Sequence, residues 1–213
     1  MMRIIAGTKR GMRILSPKGL DSRPITDRVK ESLFNVLRKY GLPEGATAAD
    51  LFCGVGSLGL ETLSRGAEFV TFAEQDPNII VTLKRNIEKA GFVKESKVIR
   101  ANAFKIRAWH GLPGSTGFQD IRLSSVEAPV QTRPGWPCYY DLVFVDPPYA
   151  FTENVGVGSP LSKLLDLLQE QVAHDGLVVV RTARRTTLLE RYGRFEVIER
   201  RQWGTMAVTL LKK

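Results

Sequence analysis

The sequence predicts an α/β fold built around a doubly wound, mostly parallel sheet. From residue 46 onward, short apolar runs typical of buried strands alternate with amphipathic helical segments. A glycine-rich loop joins the first of these strands to its helix, as in nucleotide-binding α/β units. Near the C-terminus, residues 195–198 and 206–210 read as an antiparallel pair that closes the sheet.

Composition limits the class of protein. The chain has 213 residues, 43% of them apolar, which suits one large domain with a small appendage. No apolar run reaches the roughly 18 residues of a membrane helix. The N-terminus lacks the pattern of a secretory signal, so we expect a cytoplasmic protein with no membrane partner. Cys53 and Cys138 predict no disulfide framework. His110 and His174 stand apart, so no metal site is predicted.

Positive charge is concentrated at the N-terminus. The net charge is +9 and the isoelectric point is about 9.8. Residues 1–40 hold ten lysines and arginines against three acids. A basic end on a nearly neutral body is typical of proteins that bind a polyanion such as nucleic acid. An ordinary basic surface has the same composition, so the charge alone does not decide.

The N-terminal stretch predicts a small unit that leans on the main domain. Residues 1–20 read as two short strands around a basic turn. Thr26 or Asp27 caps a following helix, whose apolar positions run at helical spacing to Tyr40. Arg28 and Lys30 lie in its first turn, where the helix dipole disfavours cations. They either face solvent or meet a phosphate or a cofactor carboxylate, and both readings stay open.

The glycine loop follows the strand predicted at 46–52. Gly54-x-Gly56-x-x-Gly59 matches the dinucleotide fingerprint of strand, glycine turn and helix N-terminus. Asp50 lies four residues before the first glycine. A carboxylate there would repel a pyrophosphate but could receive the ammonium group of a cofactor that carries an amino acid. The balance therefore moves from NAD towards S-adenosylmethionine.

Two polar positions after the next strands extend this cofactor site. Glu74 ends the strand at 69–73, about 20 residues after the glycine loop, where an acid suits ribose hydroxyls, and Asp76 is the near alternative. A helix then runs from Pro77 to a stop at Gly91. Asn102 follows the strand at 97–101, where it either reads an adenine or only forms a turn.

The motif Asp146-Pro147-Pro148-Tyr149 follows an apolar strand at 142–145. Proline has no N–H for a sheet ladder, so two prolines make a stiff, non-helical exit. This exit presents a carboxylate, backbone carbonyls and one aromatic ring. Such a rigid cluster of acceptors beside a ring suits a flat base that carries an exocyclic NH₂. The plainer interpretation, a strand followed by a proline loop, is less favoured because a nucleotide-type loop lies upstream.

The segment 107–140 interrupts the alternation of strands and helices. Glycines and prolines break its periodicity, and it exceeds the usual loop of under about 15 residues. It is either a mobile insertion or a lid over the site. After the proline motif, the pattern predicts a helix over 161–172 and a buried strand over 176–180.

Together these features resemble the RsmD family of bacterial methyltransferases, which modify the exocyclic N2 of a guanine in 16S ribosomal RNA. The resemblance covers nearly the whole chain. It rests on residues 23–31 and 33–35, on 50–61, on 63–67 and on 146–149. The glycine loop is typical of S-adenosylmethionine enzymes broadly, and Asp-Pro-Pro-Tyr is typical of amino-group methylation. The stretch Arg-Pro-x-x-Asp-Arg-Val-Lys-Glu is specific to this family.

The resemblance implies a class I S-adenosylmethionine-dependent methyltransferase fold, Rossmann-like, with a seven-stranded mixed sheet. Residues 1–41 would form an RNA-contacting hairpin and helix. Residues 42–213 would form the methyltransferase domain, with 107–140 as an inserted loop. The cofactor would be S-adenosyl-L-methionine, and the partner would be 16S ribosomal RNA or the small ribosomal subunit, bound by a monomer.

The resemblance also implies the roles of individual residues. Cofactor binding falls to Asp50, Phe52, Gly54, Gly56, Glu74, Gln75, Asn102 and Ala103. Catalysis falls to Asp146, Pro147, Pro148 and Tyr149, with the Tyr149 ring stacked on the target base. RNA contacts fall to Lys9, Arg10, Arg13, Arg23, Thr26 and Arg28.

The chain departs from the family pattern in three places. The link at 107–140 is expanded. The glycine loop carries Cys53-Gly54-Val55-Gly56 where Ala-Gly-Ser-Gly is frequent. The fifth strand commonly ends in Glu in such sequences, but Arg181 stands there, which puts any role for that acid in doubt.

Three other functions stay open. The same proline motif serves methylation of amino groups in DNA or other RNA, adenine N6 for instance. An NAD-dependent oxidoreductase is supported by the glycine loop but not by Asp50 or by the proline motif. A non-catalytic RNA-binding protein on the same fold would have no need of the intact acids Asp50, Glu74 and Asp146.

Overall fold

The structure, a computed structural model, describes residues 2–17, 25–105 and 139–213. The helices are α1 (Asp27–Arg38), α2 (Ser57–Ser64), α3 (Pro77–Ala90) and α4 (Pro160–Leu168). The strands are β1 (Thr47–Leu51), β2 (Phe69–Glu74), β3 (Ser96–Arg100), β4 (Tyr140–Val145), β5 (Val172–Ala183), β6 (Arg191–Tyr192), β7 (Phe195–Trp203) and β8 (Met206–Lys212). Two short 3₁₀ helices cover Ala103–Lys105 and Tyr149–Thr152. In these ranges, no helix has both the length and the apolar character needed to span a bilayer.

The strands form one mixed sheet in the order β3-β2-β1-β4-β5-β8-β7-β6. The first five strands are parallel to one another, and the last three add antiparallel pairs. The predicted doubly wound α/β architecture with a terminal hairpin is confirmed. The part of the chain that the structure describes has eight strands in this sheet, one more than the predicted seven, because the two-residue β6 pairs with the outer edge of β7.

The sheet is covered on both faces, which explains the apolar runs along its central strands. On one face, Leu142 and Phe144 of β4 join a core that includes α1, α2 and α3. On the other face, Val143 and Val145 join a core built on α4. Alternate residues of a strand point to opposite faces, so each residue at the end of β4 can be assigned a side. Asp146 continues the alternation on the α1 face.

The N-terminal segment packs onto that same face and shares its core. Ile4 and Ile14 are buried among side chains of α1 and the sheet. The two strands predicted there are reduced to a single bridge between Arg3 and Arg13. The tip of the hairpin instead bonds to α2, with the Thr8 amide donating to the Ser64 carbonyl at 2.7 Å. One core therefore spans residue 41. The division of the chain into two units at that residue stays a prediction.

Lys30 is buried in this interface, which excludes the two roles left open for it from sequence. Its ammonium donates to the Arg3 carbonyl at 2.7 Å and to Ser57 Oγ at 3.2 Å. It also lies 3.5 Å from the carboxylate of Glu61, which is 0% exposed. Burial lowers the pKa of Lys30, and Glu61 opposes this shift. Arg28, by contrast, is exposed.

Several boundaries differ from the predictions for physical reasons. Val172 begins β5 rather than ending a helix, because it pairs with Tyr140 at the start of β4. Tyr140 is accordingly a strand residue and not the end of the predicted insertion 107–140, most of which lies outside the described residues. Helix α1 begins as predicted, with the Thr26 hydroxyl accepting from the Val29 amide. Helix α3 begins at Pro77 and stops at Gly91, also as predicted.

Candidate active site

The carboxyl ends of β1, β2 and β4 meet at one edge of the sheet. In the parallel register, Leu51 of β1 lies beside Ala73 of β2 and beside Val145 of β4. The glycine loop, Glu74 and the proline motif therefore all follow directly at this same edge of the sheet. This is the crevice in which open α/β sheets bind their ligands.

The glycine loop between β1 and α2 has a backbone that few other residues could adopt. Gly54 and Gly56 have φ of 54° and 88°. A Cβ on Gly56 would lie 2.6 Å from Leu83 Cδ1, so a side chain here would displace the buried Leu83 as well as strain the backbone. Gly56 also occupies the N-cap of α2 and gives it no side-chain cap. The first amides of the helix are thus partly open to a ligand.

Phe52 carries backbone strain at the start of this loop. Its φ is 63°, and it is the one non-glycine residue with positive φ in the described ranges. Such a conformation is costly for an aromatic residue and is most often found at functional sites. The strain supports the predicted place of Phe52 in the cofactor site. The role of Phe52 in binding the cofactor stays a prediction.

Asp50 lies beneath the loop, 2% exposed. Its Oδ2 accepts from the Gly59 amide at 2.8 Å, which caps the first turn of α2. Burial raises the pKa of Asp50 to about 7, and the nearby Asp146 and Glu74 push it the same way. The Gly59 hydrogen bond and the charge of Arg181 oppose this rise. Asp50 thus already has a structural task, and only its second oxygen is left for the predicted contact with an ammonium group.

Glu74 ties the ends of β1 and β2 together. Its Oε2 accepts from the Gly54 amide at 3.0 Å, and its Oε1 accepts from the amides of Gln75 and Asp76. The Gln75 side chain in turn accepts from the Asn102 amide group at 2.9 Å. Asn102 also forms the turn that the sequence allowed, because its Oδ1 accepts from the Phe104 amide. Predicted cofactor residues from three strand ends are therefore in one hydrogen-bonded chain, with buried Ala103 beside them.

The proline motif leaves β4 next to this chain. The Asp146 amide still donates to the Leu51 carbonyl of β1, at 3.3 Å, and the ladder stops there. Pro147 is buried and Pro148 is exposed. The Asp146 carboxylate accepts from Arg181 Nε at 2.5 Å, and both side chains are about 15% exposed. Burial raises the pKa of Asp146, while the charge and hydrogen bond of Arg181 oppose the rise.

Arg181 is the residue for which sequence reasoning gave no role. The register explains the contact, because Val145 of β4 pairs with Val180 of β5 and the next residue of each strand is Asp146 or Arg181. A reader of the sequence who aligned the two strands by their apolar runs could have predicted this neighbour. The sequence showed only that a cation stood where an acid was expected.

Aromatic rings line the edge beside the motif. Tyr149 packs half-buried against the core on the α1 face. Its hydroxyl is buried and contacts no hydrogen-bond partner among the described residues. Phe52, Phe104 and Phe151 form a row, with ring centroids 4.7 Å and 5.1 Å apart. Phe151 is 46% exposed at its outer end. Sequence reasoning missed Phe104 and Phe151, since no local pattern marks a row made from three separate loops.

The predicted RNA-contacting residues are spread over the N-terminal surface. The Lys9 amide donates to Ser64 Oγ, which puts the hairpin tip at the end of α2 away from Gly56. The Lys9 ammonium lies 5.7 Å from the centroid of the Phe92 ring. Arg10, Arg13, Thr26 and Arg28 are exposed, and Arg23 lies outside the described residues. Lys9 and Arg10 therefore lie about one α2 length, roughly 12 Å, from the glycine loop.

Comparison with known proteins identifies the family of this chain. Residues 2–121 and 115–212 match the family described as Conserved hypothetical protein 95. This chain belongs to that family. The predicted resemblance to the RsmD family is confirmed with it.

Named members of the family are similar over long stretches. The provisionally named rRNA methyltransferase YlbH of Bacillus subtilis (strain 168) is 33% identical, over all of this chain and 99% of its own length. Ribosomal RNA small subunit methyltransferase D of Escherichia coli (strain K12) is 35% identical, over 68% of this chain and 74% of its own. The solved structure of yhhF from Escherichia coli, provisionally named a methyltransferase, matches with a TM-score of 0.72 and 28% identity, over 100% of this chain and 97% of that one.

These matches confirm the predicted class I methyltransferase fold. The predicted cofactor is confirmed with it, because this class of enzyme takes its methyl group from S-adenosyl-L-methionine. The individual residues assigned to cofactor, catalysis and RNA stay predictions.

Proposed function

We propose that this member of the family transfers a methyl group from S-adenosyl-L-methionine to the exocyclic N2 amine of a guanine in 16S ribosomal RNA, in the cytoplasm. The observation that carries the proposal is the position of Asp146 and the two prolines. They leave the sheet directly beside the glycine loop, with Val145 paired to Leu51. Relatives that are named ribosomal RNA methyltransferases support the class of substrate.

The residues at the edge of the sheet fit the cofactor. The glycine loop lets a ligand approach the backbone at Gly54 and Gly56, where side chains would collide or be strained. The second oxygen of Asp50 would take the ammonium group and Glu74 the ribose hydroxyls. Asn102 and Ala103 would flank the adenine, and the strained Phe52 would border the same pocket.

The reaction joins a weak nucleophile to a reactive methyl group. When bound, the cofactor supplies a sulfonium methyl, so the carbon–sulfur bond breaks as the carbon–nitrogen bond forms. The amine is a weak nucleophile because its lone pair is delocalised into the base. Asp146 and the Pro147 carbonyl would accept its two N–H groups and favour a pyramidal nitrogen. The nitrogen becomes acidic only as it is alkylated, so its proton can pass to water without a strong base.

Positioning and electrostatics then supply much of the rate. The prolines fix the two acceptors on a stiff backbone, so they need no rearrangement when the amine arrives. A ring that stacks on the base, assigned to Tyr149, adds on the order of 1–3 kcal/mol. The exposed Phe151 ring, held by Phe104, is a second surface on which a base can stack.

The substrate must deliver an unpaired base to this edge. A base within a helix is unreachable, so single-stranded or unstacked segments of the RNA are the expected targets. Exposed cations on the N-terminal surface, Arg10, Arg13 and Arg28 among them, would track the phosphates of the flanking RNA.

The deciding experiment supplies labelled cofactor to three substrates and identifies the labelled nucleoside. The substrates are small ribosomal subunits that lack the modification, naked 16S ribosomal RNA, and duplex DNA. We expect label in N2-methylguanosine from one of the two RNA samples. Label in N6-methyladenine would instead support methylation of adenine. No label in any sample, with the cofactor shown to bind, would leave the non-catalytic RNA-binding function.

A further inference from the structure

The ion pair between Asp146 and Arg181 has a specific geometry. Arg181 Nε approaches one carboxylate oxygen, Oδ1, at 2.5 Å. Among the described residues, no hydrogen bond is donated to the other oxygen, Oδ2. The two side chains lie on adjacent parallel strands, one residue beyond the pair Val145 and Val180, so the backbone fixes their approach. A carboxylate held at one oxygen by a largely buried arginine has one orientation rather than several.

The charges around this pair make Arg181 the cation that acts on both acids. Asp50 on β1 and Glu74 at the end of β2 are the neighbouring carboxylates. The charges of Glu74 and Asp146 both raise the pKa of Asp50. Lys30 on α1 and Glu61 on α2 face the same side of the sheet, but they pair with each other. In the described residues, Arg181 is the cation whose charge favours ionised Asp50 as well as ionised Asp146.

We propose that Arg181 is a positioning residue for methyl transfer, which holds the Asp146 carboxylate ionised and turned so that Oδ2 faces the amine. This inference rests on the proposed function. An ionised carboxylate accepts an N–H of the amine at Oδ2, whereas a protonated carboxyl can present its own O–H instead. Arg181 does not touch the reacting atoms. It acts through Asp146, and no proton moves between the two side chains.

Three variants test the proposal. Arg181→Met removes the charge and keeps the bulk, and Arg181→Lys keeps the charge. Arg184→Met removes an exposed cation three residues further along, as the matched control. Carbon-13 NMR of labelled aspartates measures the pKa of Asp146 in each protein, with Asp146→Asn to identify its signal. Single-turnover methyl transfer is then measured against pH.

We expect Arg181→Met to raise the pKa of Asp146 by about one unit or more. The acid side of the pH–rate profile moves up by the same amount. Below the Asp146 pKa, the rate at a given pH falls roughly tenfold for each unit of this rise, and it recovers at higher pH, where Asp146 ionises again. Arg181→Lys keeps the acid limb near its wild-type position, and Arg184→Met changes neither measurement.

Two results would overturn the proposal. One is an Arg181→Met variant whose Asp146 pKa and acid limb match those of the wild type. The other is equal loss of rate at every pH in the Met and Lys variants, which would indicate a purely structural arginine. Thermal melting and binding of S-adenosylhomocysteine report whether each variant is folded. The NMR titration needs no RNA, so it decides the ion pair even if the wild type methylates none of the substrates and the proposed function fails.

Discussion

Two clusters of charge lie on the same face of the sheet, and they are built differently. The anchoring cluster, Lys30, Glu61 and Arg65, joins α1, α2 and the N-terminal segment. The edge cluster, Asp50, Asp146 and Arg181, lies at the carboxyl ends of β1, β4 and β5. Both contain buried carboxylates with arginine beside them. They differ in how many of their hydrogen-bonding positions are filled.

The anchoring cluster is closed. Glu61 accepts from two backbone amides, Ile5 and Ala6, and from Arg65 Nε, while Lys30 lies beside it. Lys30 has three oxygen partners for its three N–H groups. In the edge cluster, the described partners of Asp50 and Asp146 fill one oxygen of each carboxylate. A buried polar network that is fully paired fixes a fold, and one with open acceptors is suited to a ligand.

The largest effect is expected from removing the open acceptor. Asp146→Ala should lose methyl transfer by a factor on the order of 100 to 1000, because a preorganised group at the reacting amine is gone. Cofactor affinity should stay near wild type, since the glycine loop is intact. Calorimetric titration with S-adenosylhomocysteine and single-turnover transfer measure the two quantities. Wild-type turnover in this variant would remove Asp146 from its assigned role.

Breaking the closed cluster should instead cost stability. Glu61→Gln leaves the buried Lys30 ammonium without its counter-charge, which typically costs about 3–5 kcal/mol. Urea unfolding measures the change, and Glu31→Gln, an exposed acid on α1, is the matched control. A loss of unfolding free energy below about 1 kcal/mol would mean that the two neutral oxygen partners of Lys30 are enough to stabilise its buried ammonium group.

Asp50→Asn should have opposite effects on stability and on binding. The pKa of Asp50 rises from 3.8 to about 7 on folding, so its contribution to stability is full below pH 4 and is lost as pH rises to about 7. Above pH 7 the Asn variant should therefore be the more stable protein, by on the order of a few kcal/mol. Below pH 4 the advantage should vanish.

The same variant should bind the cofactor more weakly, because an amide is a poorer partner for an ammonium group. Urea unfolding at pH 5 and pH 8, and calorimetry at pH 8, measure the two effects. An equal difference in unfolding free energy between the two proteins at pH 5 and pH 8 would show that folding does not raise the pKa of Asp50. Unchanged affinity would assign Asp50 to capping α2 alone.

The smallest effect is expected from the cations of the hairpin, which belong to neither cluster. Neutralising Lys9, Arg10 and Arg13 together should reduce the slope of log K against log salt for RNA binding by about 2 units. Lys163→Gln on α4, on the opposite face, should leave the slope unchanged. Fluorescence anisotropy with a 16S fragment across a salt series makes the measurement. An unaltered slope in the triple variant would place the hairpin outside the RNA interface.

The sequence predicted those parts of the molecule that short stretches of chain determine. The glycine loop, the Thr26 cap, the Pro77 start of α3 and the exit at Asp146 all follow from local stereochemistry, and each stands where it was predicted. The carboxyl ends of neighbouring strands share an edge, so the gathering of Glu74 and Asn102 near Asp50 was also predictable.

Other features depend on partners far away in the chain. A lysine at position 30 reads as a surface cation until Glu61, 31 residues later, is folded against it. The pairing of Arg181 with Asp146 requires the register between β4 and β5. The early start of β5 at Val172 likewise depends on the Tyr140 end of β4. The Phe52–Phe104–Phe151 row is complete only when three separate loops are in place.

The bonds of the N-terminal segment have a consequence for where the chain can be shortened. The Asn86 amide group is 0% exposed and donates to both Leu15 and Val55, and its oxygen accepts from the Leu15 amide. A protease that removed the first fifteen residues would strip partners from Asn86, from Glu61 and from Lys30 at once. Each of these groups is buried in the intact fold, so the cut would break its hydrogen bonds and uncover the core that Ile4 and Ile14 complete. The N-terminal segment is therefore an integral part of the fold, and removing it would destabilise the whole domain.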